Sequence, residues 1–133
     1  MKLLRYQTKD GVGGHGVLID RSIFPMIGGM TTTTALDCLL EGGELWKRIT
    51  GQPSIPLDQV ALLPPVENPG AYLDFYAFEQ HVKTARKLRG LDMVAEWYQY
   101  PAWYNGSTRC FSGDNSTVVF PDGENKKDYE LEL

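Results

Sequence analysis

The sequence lacks a signal-peptide pattern, a membrane-spanning apolar run and a cysteine cluster. Its first residues, Met1 to Tyr6, are interrupted by charge, and no window approaches the roughly 20 apolar residues that cross a bilayer. Cys38 and Cys110 are far apart, which argues against a zinc site or a disulfide framework. We therefore expect a cytoplasmic protein with reduced thiols that does not act at a membrane.

The sequence also lacks an excess of positive charge. Lys and Arg number 13 against 17 Asp and Glu, giving a formal net charge of -4. Because a broad basic surface is what attracts phosphate backbones, this balance argues against a nucleic-acid partner. The 133 residues are 42% hydrophobic and 23% charged, which is the balance of an ordinary globular protein. A folded core is therefore expected.

Short apolar stretches predict strands near the N-terminus. Residues 2–7 and 15–19 flank a glycine-rich turn and together predict a β-hairpin. The threonine run 31–34 offers N-cap hydroxyls for a helix that the glycines at 42–43 should end.

The proline-rich stretch 64–70 predicts a boundary between two domains. From Phe75 to Leu88 the apolar positions step by three and four, which predicts an amphipathic helix. We expect an α+β fold in which a small β-rich domain (1–63) precedes the start of a mixed β-sheet domain (64–133) with this helix on its flank. The aromatic residues at 97–104 are expected in the core or at a dimer surface.

The last residues alternate polar and apolar side chains, as a half-buried strand does. Glu130 and Glu132 would then project from the same face. Two carboxylates that close repel each other, and a hard divalent cation would resolve the repulsion. The alternative is an exposed strand whose glutamates face water.

Asp74 and His81 form a second candidate pair. Asp74 directly precedes the predicted helix, and His81 follows seven residues later on the same face, about 10 Å away along the axis. A carboxylate and a neutral imidazole so placed suit a metal ligand and a general base. The alternatives are a helix-capping aspartate and a surface histidine.

Three blocks of the sequence resemble the fumarylacetoacetate hydrolase family, in order as well as in spacing. They are Leu62 to Pro65, Asp74 to Val82 and Asp128 to Leu133. The resemblance is strong from about residue 60 onward and looser before it, where the chain is similar to the family's small N-terminal domain. It implies that this chain corresponds to the N-terminal portion of a family member.

The resemblance implies a role for five residues. Asp74, Glu130 and Glu132 would bind a magnesium, manganese or calcium ion, which oxygen-only ligation also favours. His81 would activate a water molecule, and Tyr76 would lie beside the substrate. No organic cofactor is needed for such a reaction.

The implied activity is the cleavage of carbon-carbon bonds in diketo acids of the fumarylacetoacetate or acylpyruvate type, in a homodimer when the family member is full-length. Because relatives supply further site residues beyond this length, we expect an incomplete, truncated catalytic domain that does not turn over substrate alone. Two alternatives stay open: a non-catalytic assembly module that pairs with another chain, and a decarboxylase or isomerase of the same fold.

Overall fold

The structure is a computed structural model that describes residues 1–49 and 51–129. The chain forms two compact units. Unit 1 comprises Met1–Pro65 with Ser112–Leu133, and unit 2 comprises Val66–Phe111. The domain division predicted at residues 63 and 64 stays a prediction.

Unit 1 is built on an antiparallel sheet, with a short helix beside it. Its strands are β1 (Lys2–Thr8), β2 (Gly13–Ile19), β3 (Ser22–Pro25), β4 (Ile55–Pro56) and β5 (Val60–Leu63). The order across the sheet is β4-β3-β2-β1-β5, and every pairing is antiparallel. The β1–β2 pairing confirms the predicted hairpin. The mixture of helix and antiparallel sheet is compatible with the predicted α+β fold class.

Each face of this sheet carries its own apolar cluster, because successive side chains of a strand point to opposite faces. The first cluster consists of Val17, Met26, Ala35 and Leu45. The second cluster consists of Leu4, Tyr6 and Ile23. Burial raises the pKa of the Tyr6 phenol, as expected for a hydroxyl removed from water. The core of unit 1 therefore lies on both sides of β1–β3.

Helix α1 (Thr32–Leu40) is held against the sheet by its N-terminus. Thr31 forms a capping box with Thr34, which confirms the predicted threonine cap. Thr32 is buried, and its amide donates to Nδ1 of His15 at 3.0 Å while its hydroxyl donates to the carbonyl of Pro65. Because Nδ1 accepts this hydrogen bond, it is the ring nitrogen of His15 that carries no proton.

Unit 2 consists of a two-stranded sheet and one α-helix. Its elements are β6 (Leu73–Phe75), α2 (Glu79–Leu88), a 3₁₀ turn (Ala95–Tyr98) and β7 (Trp103–Asn105). Strands β6 and β7 pair antiparallel, with Asp74 opposite Tyr104. The helix ends at Leu88 ahead of Gly90, whose positive φ of 71° suits a residue without a Cβ, so the predicted C-terminus is confirmed.

The predicted start of this helix is wrong. Phe75 pairs with Trp103 in the sheet, and the amide of Tyr76 donates to the carbonyl of Ala102 at 2.9 Å. Because these backbone groups are engaged by the neighbouring strand, the helix begins only at Glu79, with Phe78 as its N-cap. Asp74 is therefore a strand residue, and the interpretation that it caps the helix is wrong.

No helix among residues 1–49 and 51–129 combines the length and the apolar character needed to cross a membrane.

Candidate functional site

Asp74 and Tyr76 share one face of β6 and its continuation. Both side chains are half-buried, whereas Leu73 and Phe75 between and beside them are exposed. This alternation is that of a strand, in which residues two apart point the same way with about 7 Å between their Cα atoms. The strand therefore places two of the predicted site residues next to each other.

His81 lies against Tyr76. The ring centroids are 5.6 Å apart and the planes meet at 89°, an edge-to-face contact. The contact forms because α2 begins only three residues after Tyr76, so the first helical turn brings His81 back beside the strand. The predicted base and the predicted substrate-binding residue are thus in direct contact, and the imidazole stays exposed to solvent.

Asp74 is the one predicted metal ligand that lies within the described residues. Among the described residues no hydrogen bond or ion pair engages its carboxylate, although the side chain is half-buried. Such an oxygen suits a hard divalent cation. Glu130 and Glu132, the other two predicted ligands, lie outside the described residues, and the described part of the chain holds no group of three His, Cys, Asp or Glu that could bind a metal. The complete ligand set stays a prediction.

An open concavity of ≈ 270 Å³ lies on unit 2 beside Tyr76. Its lining is mostly aromatic and consists of Phe75, Tyr76, Ala77, Trp97, Tyr98, Gln99, Tyr100, Pro101 and Ala102. The indole Nε1 of Trp97 donates to the carbonyl of Tyr76 at 2.8 Å, and the rings of Trp97 and Tyr98 meet at 90° with centroids 4.9 Å apart. This hydrogen bond joins the 3₁₀ turn to the residue that follows β6.

These aromatic residues are not a hydrophobic core. Tyr98 is 57% exposed, Tyr100 67% and Tyr104 70%, so of the two expected locations, the core and a dimer surface, the core is excluded for these residues. A dimer surface stays a prediction. Sequence reasoning did not assign Trp97, Tyr98 and Tyr100 to the site, yet one signal was present: several rings within a few residues, interrupted by Pro101.

A polar cluster borders the concavity. The ammonium of Lys83 lies 2.7 Å from Oε1 of Glu79, and the hydroxyl of Tyr98 donates to the same oxygen at 2.7 Å. The hydrogen bond from Lys83, followed by that from Tyr98, lowers the pKa of the Glu79 carboxyl. In return Glu79 raises the pKa of Lys83 and of Tyr98. Glu79 therefore orients one of the lining residues.

We expect Lys83→Met to raise the pKa of Glu79 toward the ordinary value of about 4.3, and Tyr98→Phe to raise it less, because Lys83 is the larger cause. Since the folded-state pKa is lowered, the stabilisation by this cluster is present above the ordinary pKa and is lost as the pH falls through the folded-state value. A ¹³C NMR titration of the Glu79 carboxyl measures the change. Lys87→Met is the control, and an equal shift in that variant contradicts the assignment.

The described residues define a mixed helix-and-strand protein with an antiparallel sheet in one unit and an exposed aromatic concavity in the other. No protein-family model, no curated protein and no solved structure matches the chain.

Proposed function

We propose that the chain belongs to a lineage of divalent-metal-dependent hydrolases that cleave carbon-carbon bonds of diketo acids, of the fumarylacetoacetate or acylpyruvate type. The observation that carries this proposal is the arrangement in unit 2. The carboxylate of Asp74, which has no partner within residues 1–49 and 51–129, shares a strand face with Tyr76, and the ring of Tyr76 contacts His81. The three sequence blocks that resemble the fumarylacetoacetate hydrolase family support it further.

The donor set fits a hard cation. Asp74, Glu130 and Glu132 would supply oxygen ligands only, the type that magnesium, manganese and calcium prefer. When bound, such a cation acts as a Lewis acid toward the carbonyl oxygens of a diketo acid. Asp74 suits this role because its half-buried carboxylate has no hydrogen bond or ion pair to any residue that the structure describes.

His81 would act as the general base, and Tyr76 would position it. A neutral, solvent-exposed imidazole accepts a proton from water, which makes the water a better nucleophile. Edge-to-face contact with Tyr76 restricts the orientation of that imidazole. Tyr76 lines the concavity as well, so one residue borders both the base and the space for a substrate.

We further propose a fumarylacetoacetate hydrolase-like fold, a cytoplasmic location and a homodimer for the full-length protein.

The metal part is tested by titrating the chain with Mn²⁺ and measuring the free ion by electron paramagnetic resonance. We expect Asp74→Asn to weaken binding by about tenfold or more, because one of three charged ligands is lost. Asp92→Asn is the matched control, since Asp92 is an exposed aspartate of the same unit. Equal affinities for the two variants would count against Asp74 as a ligand.

The substrate part is tested with acetylpyruvate. The chain has two histidines, so the His81 ring resonances are assigned by comparison with His81→Gln, and His15 in unit 1 is an internal reference. We expect acetylpyruvate to shift the His81 resonances only when Mg²⁺ is present, with little change at His15. The absence of a metal-dependent shift would refute the proposal.

A further inference from the structure

The aromatic concavity adjoins the candidate site through one shared residue. Tyr76 lines it and, by its ring, contacts His81. Trp97 is anchored to the same residue by the hydrogen bond from Nε1 to the Tyr76 carbonyl. Tyr76 is therefore the residue that separates a molecule in the concavity from the imidazole of His81.

The size of the concavity suits a single ring with short substituents. Its volume is ≈ 270 Å³. Benzene is held by a cavity of about 150 Å³, whereas drug-sized ligands occupy pockets of roughly 300–1,000 Å³. One six-membered ring fits with room for a connecting chain.

The uncharged, ring-rich lining favours a ligand with a flat aromatic ring. The nine lining residues include no charged side chain. The polar atoms of Trp97 and Tyr98 already donate hydrogen bonds, to the Tyr76 carbonyl and to Glu79. Trp97 and Tyr98 therefore offer a ligand their ring surface, which attracts another aromatic ring edge-to-face or offset-stacked. The amide of Gln99 and the hydroxyls of Tyr76 and Tyr100 add polar groups to the lining. Tyr100, 67% exposed, has a large accessible area for contact with a ring.

We propose that the concavity binds an aryl acyl group, so that the preferred substrates are aroylpyruvates, diketo acids that carry an aromatic ring on the acyl side. This inference rests on the proposed function, because the diketo acid end must lie at Asp74 and His81 while the ring enters the concavity next to Tyr76.

The test compares benzoylpyruvate with acetylpyruvate, which differ in the ring, by isothermal titration calorimetry on the full chain with Mg²⁺. We expect benzoylpyruvate to bind about tenfold more tightly, because it adds buried aromatic contact. Tyr100→Ala should reduce this ratio several-fold. Tyr104→Ala is the matched control, since Tyr104 is an equally exposed tyrosine of unit 2 outside the lining, and it should preserve the ratio.

The calorimetric results distinguish failure of the aryl preference from failure of the proposed function. Metal-dependent binding of both ligands with equal affinity overturns the aryl preference and leaves the proposed function intact. Equal loss of the ratio in Tyr100→Ala and Tyr104→Ala overturns the assignment to the concavity. Failure of both ligands to bind in the presence of Mg²⁺ overturns the proposed function and this inference together.

Discussion

Replacement of Ile23 by alanine is expected to lower the free energy of unfolding by about 2–5 kcal/mol. Ile23 is fully buried in β3 and packs with Leu4 and Tyr6. The packing is close, since a Cβ added at Gly16 would lie 2.6 Å from Cγ2 of Ile23. Truncation removes three methyl or methylene groups and leaves a cavity that β-strands on either side cannot close.

Urea denaturation followed by circular dichroism measures this loss. Ile19→Ala is the matched control, because Ile19 is a β-strand isoleucine that is 42% exposed, and it should cost far less. Similar losses in the two variants would show that the second cluster is not a packed core.

Replacement of Val82 by alanine is expected to loosen unit 2 in particular. Among the described residues of unit 2, Val82 alone is buried. Removing its two methyl groups costs about 1–3 kcal/mol, which accelerates amide exchange by about tenfold or more where local opening exposes the amide. The amides to follow are those of Tyr76 and Val82, which donate to Ala102 and Phe78.

Hydrogen exchange by NMR reports both units at once. The amide of Met26, which donates to the carbonyl of His15 in unit 1, should keep its rate. Val94→Ala is the control within unit 2, since Val94 is 42% exposed. Because α2 presents His81, the Val82 variant should also lose the metal-dependent shift of the His81 resonances. Unchanged exchange at Tyr76 would mean that Val82 does not hold the site together.

The helix beside the candidate site begins later than the local sequence pattern predicts. The spacing of apolar residues from Phe75 predicts a helix, and a helix is present, yet its first turn is displaced by the sheet. Asp74 faces Tyr104, a residue 30 positions later, and no short window of sequence contains that pairing. The contact between Tyr76 and His81 depends on the later start of the helix, because it joins a residue before the helix to one within it. If the helix began at Phe75, both residues would lie on the same helix.

The three sequence blocks identified in the sequence analysis predicted which residues form the site, but not where these residues lie in space. Asp74, Tyr76 and His81 were selected from the sequence, and the structure brings the last two into contact and sets the first beside them. Glu130 and Glu132 lie outside the described residues, so their convergence with Asp74 stays a prediction.

The sequence by itself determined the elements that depend on near neighbours: the hairpin β1–β2, the threonine cap of α1 and the end of α2 before Gly90. Caps, turns and periodicity depend on residues a few positions apart, so a short stretch of sequence is enough to predict them. Only the tertiary structure decided that β5 pairs with β1, that β7 displaces the start of α2, and that Trp97 and Tyr100 line a concavity with Tyr76. Those contacts join residues far apart in the chain, where the entropy of closing a loop is repaid by packing and hydrogen bonds that exist only once the fold has formed.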